Sequence, residues 1–236
     1  MKITVFNGSP KGARGVTYEL QRCLCDGIEG AGGNVEIINL IQKKINRCLG
    51  CMGCWQVHEG ICIIKDDMID LIHKLLTSDL VVLATPLYFN NVTLSLKTFL
   101  ERLMPLSRRS IIQGEDNVYR HACAERIPPI VMFSTCGLPD YINFNLLSQY
   151  GDLLAEHWGT KIVGEIYRTE AYLFEANFEN TRILLKSYRK MLHNAGAELV
   201  EAGELSKNTM QKLNRNLVPS KVYVDISSQY QFGLKK

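Results

Sequence analysis

The chain has 236 residues, 46% of them hydrophobic and 22% charged, with a net charge of +3. That composition predicts a packed core, excludes a largely disordered chain and offers no basic surface for nucleic acid. No apolar stretch is long enough for a membrane span, and the opening "MKITVFNGS" lacks a signal-peptide pattern, so a cytoplasmic setting with reduced thiols is expected.

Five apolar runs read as buried strands: 2–7, 34–40, 79–85, 128–135 and 160–167. Several are continuous rather than alternating, as in parallel strands covered on both faces. Helical spacing separates them. Leu20, Leu24, Ile28 and Ala31 recur before a Gly32-Gly33 stop. Asp66 or Asp67 is placed to cap a helix carrying Ile69, Ile72 and Leu76. Further stripes run over 94–106 and 143–158. Residues 107–127 are polar and read as a long loop. Beyond the fifth strand, Leu184, Tyr188, Met191, Ala195 and Leu199 mark a long helix, and Ser206 is placed to cap another. Alternating strands and helices predict an α/β fold with a doubly wound parallel sheet.

The first strand runs into "NGSPKGARGVTYEL". A small-residue turn before a helix N-terminus points backbone N–H groups outward, and the helix dipole favours an anion. Ser9 and Thr17 add hydroxyls and Arg14 adds charge, so a phosphate is the expected ligand. Neither a Walker loop nor a dinucleotide fingerprint is present. The third strand continues as "ATPLYFNNVTLSLKTFLERL", which sets Tyr88 and Phe89 at the carboxyl edge of the sheet, suited to a flat heteroaromatic ring or to packing within the loop. The fourth strand ends in "STCG", a second small-residue turn on that edge.

"CLGCMGCWQVHEGIC" places Cys48, Cys51, Cys54 and Cys62 in a C-x2-C-x2-C-x7-C pattern. Three thiols at this spacing suit a loop wrapped round one corner of a cubane, and Gly50 and Gly53 permit the sharp bends. Thiols kept as scaffold, a zinc site and a redox disulfide are the competing readings. His58 reads as a solvated loop residue or an added ligand. Trp55 is placed to shield a cluster, cover a ring or pack locally. Arg108 and Arg109 read as solvated or as nucleotide-phosphate contacts. Cys23 and Cys25 read as packing residues, and Cys136 as a residue of the turn or, as the less favoured reading, a neighbour of the ring site.

"GSPKGARGVT", "CLGCMGCW…GICIIKDDM", "TPLYFNNVTLSLKTFLER" and "STCG", in that order, resemble the NAD(P)H-dependent FMN reductases of the flavodoxin-like fold, and especially the iron-sulfur flavoproteins. The resemblance implies a sheet of order 2-1-3-4-5. A flavodoxin-like FMN-binding domain would span 1–170, with its cysteine loop at 48–62. A C-terminal helical extension would span 171–236. It implies an FMN phosphate at Ser9, Arg14, Gly15, Val16 and Thr17. The ring would lie against Pro86, Leu87, Tyr88, Phe89 and Asn90, with Thr135 and Gly137 on its far side. Val16 departs from the asparagine usual there, which removes a side-chain contact. A [4Fe–4S] cluster would be held by Cys48, Cys51, Cys54 and Cys62. The implied activity is an FMN-dependent NAD(P)H oxidoreductase that passes electrons to a quinone-like acceptor or redox partner, as a homo-oligomer, with no catalytic side chain. A non-catalytic electron carrier and a cluster-free thiol redox sensor are the alternatives; the positive net charge counts against a close parallel with acidic flavodoxins.

Overall fold

Strand β1 (Lys2–Asn7) buries both of its faces: Ile3 and Val5 pack to one side of the sheet, Phe6 to the other. In the computed structural model, which describes residues 1–114, 116–176 and 181–229, this strand lies inside a five-stranded parallel sheet. Its partners are β2 (Asn34–Asn39), β3 (Leu80–Pro86), β6 (Ile130–Thr135) and β7 (Ile162–Arg168), in the order β2-β1-β3-β6-β7. Counting these strands alone, the order is the expected 2-1-3-4-5.

Helices cover both faces. On one face lie α1 (Val16–Gly30) and α7 (Arg182–Ala202), which bury Leu20, Leu24, Leu192 and Leu199 against Val82 and Val131. These two helices meet backbone to backbone. A Cβ on Gly27 would stand 1.8 Å from the His193 carbonyl oxygen, and one on Gly196 would stand 2.1 Å from that of Leu24. On the other face lie α3 (Met68–Leu76), α4 (Leu94–Glu101) and α5 (Asn145–His157), packed over Leu83 and Met132. Phe6 and Phe99 stack there with ring centroids 4.5 Å apart. Between β2 and α3, the short α2 (Gly53–Gln56) interrupts the cysteine loop.

The helical phases expected from the sequence shift in places. In α3 the buried side chains are Met68, Leu71 and Leu75, while Ile69 is exposed. In α7 Leu185 and Leu192 are buried, and Leu184 and Met191 flank them. Residues 107–127 are not one long loop. They form an antiparallel hairpin, β4 (Ser107–Gln113) with β5 (Tyr119–Cys123), in a separate two-stranded sheet. Solvent reaches most of its side chains, so the apolar alternation that marks a half-buried strand is missing.

The C-terminal segment continues through α6 (Tyr172–Ala176), α8 (Lys207–Asn214) and α9 (Ser220–Gln229). Ser206 caps α8 as expected, accepting from the Thr209 amide at 3.2 Å. Asn214 covers the open edge of β7: its Oδ1 accepts from the Tyr167 amide at 2.8 Å and its Nδ2 donates to the Glu165 carbonyl. Glu170, buried beside Arg168, accepts from the Leu217 and Val218 amides and ties the approach to α9 onto the end of β7. Positions 177–180 and 230–236 of the anticipated extension lie outside the described residues. No helix among the described residues is long and apolar enough to cross a membrane.

Candidate functional site

Two concavities gather most of the residues singled out from the sequence. The first, of about 280 Å³, opens at the carboxyl edge of β1, β3 and β6. The turn after β1 and the start of α1 supply Ser9, Gly15, Val16 and Thr17; the end of β3 and the turn beyond it supply Pro86, Leu87 and Tyr88; the end of β6 and the turn beyond it supply Thr135 and Gly137. The first amides of α1 have no partner inside the helix, and Gly15, Val16 and Thr17 at its start line this space. The turn is held from below. Buried Asn7 accepts from the Ser9 amide at 3.1 Å and donates to Asn39 at 2.8 Å. A Cβ on Gly15 would lie 2.8 Å from Ser9 Oγ, so the hollow exists because that residue has none. Thr17 and Thr135, one from each side of the cleft, share a 2.7 Å hydroxyl–hydroxyl hydrogen bond.

Three expected residues lie elsewhere. Arg14 is exposed on the turn and does not line the cleft. Phe89 and Asn90 sit at the tip of a turn closed by Tyr88 and Asn91, both with left-handed backbone (φ 49° and 60°), and Phe89 is fully exposed. Asn90 Nδ2 donates to the Asn143 carbonyl at 3.0 Å. Lys11, absent from the sequence expectation, lines the cleft instead and pairs with Glu175 at 2.6 Å. Glu175, Ala171 and Tyr172 arrive from the segment after β7, and no local pattern announces them. The Tyr172 ring packs on Gly137, whose carbonyl accepts the Tyr223 hydroxyl. Cys136 is buried between Thr135 and Gly137 in the chain but lies outside the cleft's lining; burial pushes its thiol up.

The second concavity, of about 470 Å³, is lined by Cys48, Cys51, Cys54 and Cys62 together. All eight cysteines of the chain are free thiols. Burial, with the neighbouring Cys62, Cys48 and Cys51 adding to it, pushes the Cys54 thiol up against its own backbone hydrogen bond. Among the described residues, no three His, Cys, Asp or Glu side chains stand as a ready-made site for a metal ion. A set of four soft thiols around a wider cavity fits an iron-sulfur cluster better than a single ion. Met52 takes left-handed backbone (φ 53°) to turn the chain between Cys51 and Cys54.

Long-range contacts hold this loop in place. Trp55 Nε1 donates to the Ser107 carbonyl at 2.7 Å and its ring lies 4.7 Å from that of His121, so Trp55 clamps the loop to the hairpin. Arg108 pairs with Glu59 across the same junction. His58 is exposed and does not line the cavity, and Arg109 is exposed. Behind the loop lies a buried ion pair, Arg102 with Asp66, at 2.6 Å. Burial works against the Asp66 charge, but hydrogen bonds from Arg102, Asn46 and the Met68 amide outweigh it and hold the carboxyl down at about 2.

Residues 1–116 match the family model described as NADPH-dependent FMN reductase. An iron-sulfur flavoprotein of Archaeoglobus fulgidus is 28% identical over 235 residues, covering 100% of this chain and 94% of that protein. An iron-sulfur flavoprotein of Methanocaldococcus jannaschii is 36% identical over 106 residues, covering 45% of this chain and 53% of its own. Among solved structures, an FMN-dependent NADH-azoreductase from Bacillus anthracis in complex with FMN aligns with a TM-score of 0.62 at 14% identity, covering 84% of this chain and 99% of that one. The NAD(P)H:quinone oxidoreductase from Methanothermobacter marburgensis aligns with a TM-score of 0.60 at 10% identity, covering 84% and 96%. At such identities these two carry the fold. Residues 1–116 are thus similar to the NADPH-dependent FMN reductases, and along its whole length the chain is similar to the iron-sulfur flavoproteins, on a flavodoxin-like fold.

Proposed function

We propose that the chain is an FMN-dependent NAD(P)H oxidoreductase, with FMN in the cleft at the strand ends and a [4Fe–4S] cluster in the cysteine cavity. One observation carries this reading: the first turn of α1, the Gly15 hollow and the ends of β3 and β6 converge on a single cleft. FMN, when bound, accepts a hydride from a nicotinamide and releases electrons singly or in pairs. The protein's part is binding and orientation. The amides of Val16 and Thr17 and the hydroxyls of Ser9 and Thr17 hold the phosphate. Pro86, Leu87 and Tyr88 form one wall for the ring, and Thr135 and Gly137 the other. Arg14, on the same turn, keeps a role as a mobile charge for the phosphate, and Phe89 and Asn90 as the exposed rim of the ring site. No side chain in the cleft forms a nucleophile–base pair, and none is assigned as catalytic.

Cys48, Cys51, Cys54 and Cys62 would hold the cluster, which supplies one-electron relay to an acceptor such as a quinone or to a redox partner. The exposed Leu49, Ile61 and Ile63 beside these cysteines support a homo-oligomer in which this face is covered. The test is anaerobic mixing of the oxidised protein with NADPH or NADH. Bleaching of flavin absorbance at a rate that supports turnover is expected. A full flavin and iron complement without bleaching would make the protein an electron carrier. Absence of iron with reversible thiol loss would make it a thiol sensor.

A further inference from the structure

The cysteine cavity has one charged wall that is almost wholly buried. Arg102, at the end of α4, has a side chain only 1% exposed, and Asp66 opposite it is 0% exposed. Its Nη1 donates to Asp66 Oδ2 at 2.6 Å and to the Asn46 carbonyl at 2.7 Å; its Nη2 donates to Asp66 Oδ1 at 3.0 Å. The fork is therefore fixed in plane by the carboxylate. The remaining donor, Nε–H, is buried and has no hydrogen-bond partner. Buried donors of this kind are rare, because water is lost and nothing replaces it. Arg102 lines the same cavity as the four cysteines. Cys62 lines that cavity with it, and among the cysteines it is the one whose charge favours the guanidinium: burial lowers the pKa, and Asp66 and Cys62 raise it.

We propose that Arg102 is a positioning residue for the Cys62 corner, its Nε–H donating to the Cys62 sulfur when that sulfur is a metal-bound thiolate. The inference rests on the cluster assigned under the proposed function. Asp66 balances the guanidinium charge, so the directed N–H bond rather than a net positive charge acts on the sulfur. A hydrogen bond to a ligand sulfur favours the more negatively charged, reduced cluster and raises its midpoint potential.

The test uses full-length protein isolated anaerobically with FMN bound. Iron content and an EPR-monitored redox titration are compared for wild type, Arg102→Lys, and the double variant Arg102→Met with Asp66→Asn. The double variant removes the pair without changing net charge, and it guards against a single variant that fails to fold around an unpaired buried charge. The expected result is unchanged iron and FMN with a lower cluster midpoint. In the double variant the reduced-to-oxidised ratio at fixed poise should fall about tenfold, about 59 mV for a one-electron couple. Lysine keeps an N–H donor but lacks the planar fork that aims it, so its shift should have the same sign and be smaller than that of the double variant. An unchanged midpoint with full iron overturns the proposal. Loss of iron from both variants with FMN retained makes Arg102 a purely structural support and also overturns it. Wild-type protein without iron would instead bring down the cluster reading itself, a result separable from the other two.

Discussion

The strand-end cleft is built from main chain, and the cysteine cavity from side chains gathered across long distances. The cleft needs a turn, a helix start and two strand ends that the parallel sheet brings together in any case. The cavity depends on Trp55 reaching Ser107 and on Asp66 reaching Arg102, contacts that span 52 and 36 residues. The cleft should therefore survive damage to the loop, and the loop should report its own failures.

The largest expected effect separates the two regions outright. Cys51→Ser should abolish cluster absorbance and iron content while FMN stays bound, measured by anaerobic spectroscopy with iron analysis. The reciprocal break is Gly15→Ala, which puts a methyl 2.8 Å from Ser9 Oγ within the phosphate hollow. FMN affinity should fall at least about tenfold, or about 1.4 kcal/mol, while the iron content is retained; equilibrium binding of FMN checks it.

Legibility in the sequence followed the same division. The five sheet strands were readable because burial on both faces leaves continuous apolar runs such as "DLVVLAT". The cleft's turn was readable from Gly15, Ser9 and Thr17, which are contiguous. Lys11, three residues before the expected Arg14, was missed because charge alone does not tell which side of a turn a basic residue takes. Tyr172 and Glu175 were missed because they come from the segment after β7, more than 150 residues beyond the first loop. In the cysteine region the spacing of the four thiols was plain, but nothing local to "SRRSIIQ" or "YRHAC" signals a hairpin. Arg102 likewise lies at the end of a helix whose pattern shows only packing. Asp66 and Asp67 were the two candidate caps of α3. Asp67 holds the cap position without a side-chain bond, while Asp66 accepts from the Met68 amide at 3.2 Å and also pins Arg102.

Acid offers a graded way to sharpen the comparison. Asp66 is held at about 2, below the usual carboxylate value of about 3.9. Its stabilising contribution is complete above that ordinary value and is lost as the pH falls through about 2. Both tryptophans report on this region: Trp55 follows Cys54, and Trp158 lines the cavity. Tryptophan fluorescence should change at a higher pH than far-UV circular dichroism, and Asp66→Asn should move that transition. Coincident transitions that the substitution leaves in place would mean that the two regions unfold as one.

The smallest expected effect lies back in the cleft. Glu175 places a carboxylate at its edge, paired with Lys11, whose side chain is 60% exposed. Glu175→Gln should tighten FMN binding a few-fold at low salt and less at high salt, since exposed pairs contribute only about 0–1 kcal/mol. Titration at two ionic strengths checks both parts.

The account stands most directly on what the first turn of α1 grips. Calorimetric titration of flavin-free protein with FMN and, separately, with riboflavin isolates the phosphate contribution. One FMN per chain is predicted, with riboflavin weaker by at least about tenfold. Equal affinity for the two, or no heat with FMN, would contradict the assignment of the cleft.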